Sequence, residues 1–383
     1  MKTRLIETAL FTPLSGDRWG LPLIMWGEPG VAKTAVIRAL ARLWGWHCEV
    51  LSPGERGEGA FGVTPVPEEG GSVLRYPPPE WVEALAGTDG EEGVVFVDEA
   101  NTAPPALQPA LMGLVQERRV GGHQLGPRVR VLAAANPVGH AAGGWDLAAP
   151  VANRFGHVTW PCPDVGEWVE WLTSGANGGS DEHRDPRAHE MEVLDAWPEA
   201  FASAAGQVGA FLRRRPELLH RMPADGDPNQ SRAWASPRAW EYATRALASA
   251  RIHGLSQADT EELVAAFVGE AVSGELATWL AEADLPSPAD VLDGKVEWTP
   301  DSKRLDRNDA VLNACTALVH ATKAADKKAA RAQALWAILL KVGEVGGKDL
   351  TIPAATALTR AGLVACPEAR KVLASLPAIG IGR

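Results

Sequence analysis

Residues 27–34 read Gly27-Glu28-Pro29-Gly30-Val31-Ala32-Lys33-Thr34. An apolar run, Leu21 to Trp26, precedes them and reads as a strand. A helical pattern, Lys33 to Trp44, follows, with Val36, Ile37, Leu40 and Leu43 on one face. A glycine-rich turn between a strand and a helix lets backbone N–H groups surround phosphate oxygens. The helix N-terminus adds a favourable dipole. In this reading Gly27, Glu28, Pro29, Gly30, Val31 and Ala32 form the cradle. Lys33 reaches the β- and γ-phosphates, and the Thr34 hydroxyl joins a Mg²⁺ shell. The general pattern has glycine where this chain has Ala32, which is tolerated if φ stays negative there. A plain glycine-rich turn ahead of a core helix is the simpler alternative.

A second motif bears on that choice. Val94-Val95-Phe96-Val97-Asp98-Glu99 is an apolar strand ending in two carboxylates. Asp98 at the strand tip suits a Mg²⁺ shell, and Glu99 suits the orienting and polarising of an attacking water. Three further polar residues fall where such a site needs them. Asn136 ends the apolar run Val129 to Ala135 and can bond a γ-phosphate or water; alone, it is also a turn residue before Pro137. Arg154 lies in Ala152-Asn153-Arg154-Phe155, where a surface ion pair is the plain alternative. Arg238 follows Ser236-Pro237, an N-cap and first-turn pair. An arginine there gains nothing from the helix dipole, so either an anionic ligand or a pair with Glu241 explains it.

Outward from these motifs, short apolar runs alternate with helical patterns. His47 to Leu51, Gly93 to Val97 and Val129 to Ala135 read as strands. Continuous apolar strands between helices imply an α/β fold with a parallel sheet covered on both faces. Glu55 to Pro79, with Gly70-Gly71 between short extended runs, and Val120 to Arg130, turning at Gly121-Gly122 and Gly126-Pro127, read as inserted loops or hairpins. Polar linkers are expected at Ser174 to Arg187 and Pro223 to Arg232. Helices are expected at Glu190 to Ala205, Pro237 to Ile252, Thr260 to Ala283, Asp309 to Ala325 and Ala330 to Val342. Ala321 to Ala334, rich in Ala and Lys, reads as a helix with one solvated face.

The set GEPGVAKT, VVFVDE, AAANP, ANRF and SPRAW resembles the MoxR branch of AAA+ ATPases across roughly residues 1–255. The order and spacing of five motifs carry the resemblance. Ala before the Walker A lysine is common in that branch. The resemblance implies that Asn136 is sensor 1, that Arg238 is sensor 2, and that Arg154 reaches a neighbouring subunit's ATP. It implies an AAA+ core with two extra hairpins facing the pore or a partner, a helical lid and a hexameric ring. Tyr76-Pro77-Pro78-Pro79-Glu80-Trp81, Asn136-Pro137 with Gly143-Gly144-Trp145, and Asn153-Arg154-Phe155 with His157 and Trp160 resemble a bacterial subgroup. Such proteins often work with a separate protein carrying a von Willebrand A domain; no Asp-x-Ser-x-Ser motif places that domain here.

The expected organisation is an α/β nucleotide-binding domain over 1–161, a connector and helical lid over 162–300, and a helical extension over 301–383, which resembles no family. The net charge of −11 argues against a phosphate-backbone partner, though a basic pore within an acidic body would escape that argument. No apolar run approaches a membrane span. Cys48, Cys162, Cys315 and Cys366 are dispersed and form no CxxC pair. With no signal-like apolar core near the N-terminus, a reducing, cytoplasmic setting is expected. His183 and His189 lie among Glu182, Asp185 and Glu190, where a solvated loop is favoured over a metal site. The tryptophans, Trp44, Trp46, Trp160, Trp168 and Trp171 among them, are expected in core or interface packing. Phe61 is either a pore element that grips substrate or a loop anchor. The expected function is ATP hydrolysis, with Mg²⁺, that remodels or activates a protein partner in a chaperone-like way, metal or cofactor insertion included. Alternatives are a nucleic-acid-linked NTPase of a defence or restriction complex, and a slow nucleotide-gated scaffold.

Overall fold

The computed structural model describes residues 2–62, 64–67, 71, 73–87, 91–137, 144–170, 172–173, 183–283 and 285–376. Val63, Glu68, Glu69, Gly70, Ser72, Gly143, Trp171, Glu182 and most of the expected 174–187 linker lie outside them. The chain separates into two compact units, one of Met1–Leu194 with His220–Ser273, the other of Asp195–Leu219 with Gly274–Arg383.

The first unit is built on a parallel sheet. Its strands are β1 (Leu23–Trp26), β2 (His47–Leu51), β5 (Gly93–Val97), β8 (Val129–Ala135) and β9 (Gly156–Thr159), in the order β2-β5-β8-β1-β9. Two antiparallel hairpins, β3 (Val66–Pro67) with β4 (Leu74–Arg75) and β6 (Arg119–Val120) with β7 (His123–Gln124), complete the set. Every residue of β1, β5 and β8 is buried, as apolar runs covered on both faces require. This is the α/β core with two inserted hairpins that the AAA+ resemblance implies. Register fixes the site edge: Trp26 pairs with Ala135, and Val97 with Ala133. Gly27, Asp98 and Asn136 therefore leave the sheet at the same edge.

Several expectations need correction. The Leu21 strand begins at Leu23, and β9 and the first helix, Thr3–Leu10, went unread. The single helix expected at Thr260 to Ala283 is two, Gln257–Val268 and Glu270–Ala283. Gly269 separates them at φ +87°, a conformation glycine adopts without a Cβ penalty. The Ala/Lys-rich stretch is also divided: one helix ends at Ala321, and the next runs Ala325–Glu344 with Arg331 and Ala332 buried.

The second unit is helical. Leu305–Ala321, Ala325–Glu344, Lys348–Arg360 and Pro367–Ser375 surround Trp336, whose indole N–H donates to the Leu363 carbonyl at 2.7 Å. Gly206 lets helix Pro186–Arg214 press on Ala314; a Cβ there would lie 2.5 Å from the Ala314 nitrogen. Arg331 grips both carboxylate oxygens of Asp293 at 2.7 and 2.8 Å. Among the described residues no helix is long and apolar enough to cross a membrane.

Candidate functional site

The loop Gly27–Thr34 turns between β1 and the helix Lys33–Leu43. Gly27 is there for space, since a Cβ would sit 2.5 Å from the Trp160 carbonyl oxygen. The Trp160 indole N–H in turn donates to Val31 O at 3.1 Å and ties the loop to the end of β9. Gly30 takes φ +83°, and Ala32 takes φ +63°. The condition of a negative φ at Ala32 is therefore not met. The loop needs a left-handed residue there, and alanine adopts that conformation at a cost of about 1 kcal/mol or more.

Lys33 is buried. Its ammonium donates to Gly27 O at 2.7 Å, Glu28 O at 2.9 Å and Asn136 Oδ1 at 3.0 Å. Burial lowers its pKa, and the Asp98 and Glu99 carboxylates oppose that shift. Thr34 Oγ1 donates to Asp98, whose other oxygen accepts the Glu99 N–H at 3.0 Å. The structure thus brings two hydrogen-bonded pairs, Lys33 with Asn136 and Thr34 with Asp98, to the same sheet edge, with Glu99 beside them. Glu99 is exposed and left-handed, φ +51°. Thr102 holds it in that pose by donating its N–H and hydroxyl to Glu99 O at 2.7 and 2.8 Å.

The arginines form a different group. Arg154 donates through Nε to Gln116 Oε1 at 2.6 Å, and burial followed by the Arg238 guanidinium lowers its pKa. So Arg238 lies in the field of Arg154, while the charges acting on Lys33 are those of Asp98 and Glu99. The expected N-cap is present: Ser236 Oγ accepts the Ala239 N–H. The Arg238–Glu241 pair is not; Glu241 accepts from Arg245 instead, at 3.1 Å.

Sequence reading missed Asn101. It is buried, donates to Asn136 O at 3.0 Å and accepts the Asn136 N–H at 3.3 Å, which fixes the backbone that aims Asn136. Its position three residues past Asp98 was the available signal. Asn153 was missed too; it joins Trp234 O at 2.9 Å and the Ser236 hydroxyl at 2.7 Å, beside Arg154. His157 accepts from the Trp26 indole at Nδ1, so its Nε2 carries the proton donated to Ala152 O. Burial pushes its pKa down to about 4, and it stays neutral. Phe61 is a core anchor, 2% exposed, and cannot grip substrate. His189 is not in a solvated loop: it lies on helix Pro186–Arg214 against Phe11 and Trp44. No metal-holding group of three His, Cys, Asp or Glu residues occurs among the described residues. Trp44, Trp46 and Trp160 are buried, whereas Trp168 is half exposed.

No protein-family model matches the chain. No curated protein matches it. A solved structure from Cytophaga hutchinsonii ATCC 33406, described only provisionally as an ATPase, is similar at 18% identity and a TM-score of 0.45, covering 77% of this chain and 88% of that one. A likeness of that size bears on neither activity nor family.

Proposed function

We propose that this chain is a MoxR-type AAA+ ATPase that hydrolyses ATP to remodel or activate a protein partner. One observation carries the reading: two hydrogen-bonded pairs, Lys33 with Asn136 and Thr34 with Asp98, lie where three parallel strands end, with Glu99 adjacent. A buried ammonium held only by neutral oxygens is a ready partner for phosphate. Thr34 and Asp98 already direct a hydroxyl and a carboxylate oxygen at each other, a donor set that suits Mg²⁺. Bound there, Mg²⁺ would neutralise charge on the phosphates.

In this reading the loop N–H groups and Lys33 bind the triphosphate. Glu99 orients and polarises the attacking water, and Asn136, aimed by Asn101, holds the γ-phosphate or that water. Arg154 serves a neighbouring subunit's nucleotide in a ring, a hexamer by the family resemblance, and Arg238, whose charge acts on Arg154, serves as sensor 2. The stretches 1–161, 162–300 and 301–383 act as nucleotide domain, connector with lid, and extension. Supporting a protein partner, a separate von Willebrand A domain protein among the candidates, Val66, Val73, Leu74 and Tyr76 on and beside the first hairpin are 47–60% exposed. Exposed apolar patches mark interaction sites. The acidic chain and the absence of any long apolar helix among the described residues fit a cytoplasmic protein.

Val66→Ser with Leu74→Ser should leave basal ATP turnover unchanged and abolish stimulation by the protein captured on a Glu99→Gln trap. Equal stimulation of wild type and variant would remove the hairpin from the account. Stimulation by double-stranded DNA, lost in the same variant, would replace the protein partner with nucleic acid.

A further inference from the structure

The Glu99 carboxylate is exposed and, among the described residues, takes no hydrogen bond and no ion pair. Its direction is therefore set by its own backbone. That backbone is left-handed, φ +51°, a region glutamate rarely visits. Two residues hold it there. Asp98 Oδ1 accepts the Glu99 N–H at 3.0 Å. The Glu99 carbonyl accepts twice from Thr102, from its N–H at 2.7 Å and from its hydroxyl at 2.8 Å. The N–H bond is the ordinary closure of the 3₁₀ turn Ala100–Thr102, which any residue but proline supplies. The hydroxyl bond is particular to this side chain. A third element meets Thr102. The short helix Pro53–Arg56 lies at the start of the first insertion, and a Cβ on Gly54 would sit 3.3 Å from Thr102 Oγ1 and 3.6 Å from Thr102 Cβ. Glycine there leaves the hydroxyl its room.

We propose that Thr102 is the positioning residue of Glu99, and that Gly54 keeps clear the space its hydroxyl occupies. The inference rests on the reading of Glu99 as the group that orients the attacking water. A glutamate in the left-handed region stays there only while its surroundings hold it. Loss of the hydroxyl bond frees the Glu99 carbonyl to rotate, and the carboxylate is re-aimed with it. A group that orients water acts only within hydrogen-bond reach of that water, so a small re-aiming lowers turnover. Phosphate affinity is spared. The partners of Lys33 are Gly27 O, Glu28 O and Asn136 Oδ1, and none of them bonds to Thr102. Thr102 thus acts on kcat through Glu99 and not on nucleotide binding. Pressure on the helix Pro53–Arg56 reaches Glu99 through this one side chain, which ties the start of the insertion to the site.

The test compares full-length wild type with Thr102→Val, Thr102→Ser and Gly54→Ala, each alone and combined with Glu99→Gln. Single-turnover ATP hydrolysis, ATP affinity and melting temperature are measured on all of them. Thr102→Val keeps the shape and removes the hydroxyl, and should slow hydrolysis about tenfold at unchanged ATP affinity. Thr102→Ser keeps the hydroxyl and should restore most of that rate. Gly54→Ala should slow hydrolysis about threefold, because its Cβ crowds the hydroxyl, even though alanine favours the helix it sits in. In the Glu99→Gln background these substitutions should add little, since the group they aim is already disabled. A merely structural role predicts the opposite: equal losses in both backgrounds. Such equal losses, a Thr102→Val rate equal to wild type, or a serine variant as slow as the valine one would overturn the proposal and leave the role of Glu99 standing. Turnover of Glu99→Gln near wild type would overturn both.

Discussion

Lys33 and Arg118 are both buried cations of the same unit, yet their surroundings differ. Lys33 is held by two carbonyls of its own loop and the Asn136 amide, and two carboxylates lie close enough to support its charge. Arg118 has two carbonyls, an idle Nε and repulsion from Arg18 and Arg130. The phosphate-loop group is self-sufficient: it supplies a cation, a hydroxyl, two acids and an amide. The arginine group supplies positive charge alone. One group carries its own compensating charges, and Arg118 has only neutral hydrogen-bond partners.

The largest effect should come from removing the self-sufficient cation. Lys33→Ala should abolish tight ATP binding, because the phosphates lose their buried ammonium partner. Equilibrium binding of a fluorescent ATP analogue measures this, and unchanged affinity would end the comparison by removing the phosphate loop from it.

A smaller loss is expected from the arginine side. Arg154→Ala should leave ATP affinity intact and slow hydrolysis about 10³-fold or more, as for arginines supplied in trans to phosphoryl transfer. Mixing Arg154→Ala with Lys33→Ala subunits sharpens the contrast. Activity should partly return, since an intact loop can then face an intact arginine. No recovery in assemblies shown to be mixed would mean that Arg154 works within its own subunit or not at all.

The same contrast explains what the sequence reveals. The loop residues are contiguous, and Asp98 and Asn136 sit at the ends of apolar runs whose limits match strands β5 and β8. A linear pattern therefore marks them. Asn101 bonds a residue 35 positions away, a pairing that only strand register creates. Arg118 lies in Glu117-Arg118-Arg119, which reads as a solvated charge run; Arg119 is exposed and Arg118 buried. Arg118 ends the helical turn Gly113–Glu117 in a left-handed pose, φ +54°, which a charge pattern does not show. Gly269 divides a helical pattern that periodicity alone makes continuous, and the left-handed pose of Ala32 is invisible because alanine rarely adopts it.

The central claim is that this chain hydrolyses ATP with Glu99 activating the water. The direct measurement is phosphate release under saturating Mg²⁺-ATP by wild type and Glu99→Gln, with ATP affinity measured on both. The amide is nearly isosteric with the carboxylate, so binding should be retained while turnover falls about 10²-fold or more. Retained binding with turnover near wild type would contradict the account.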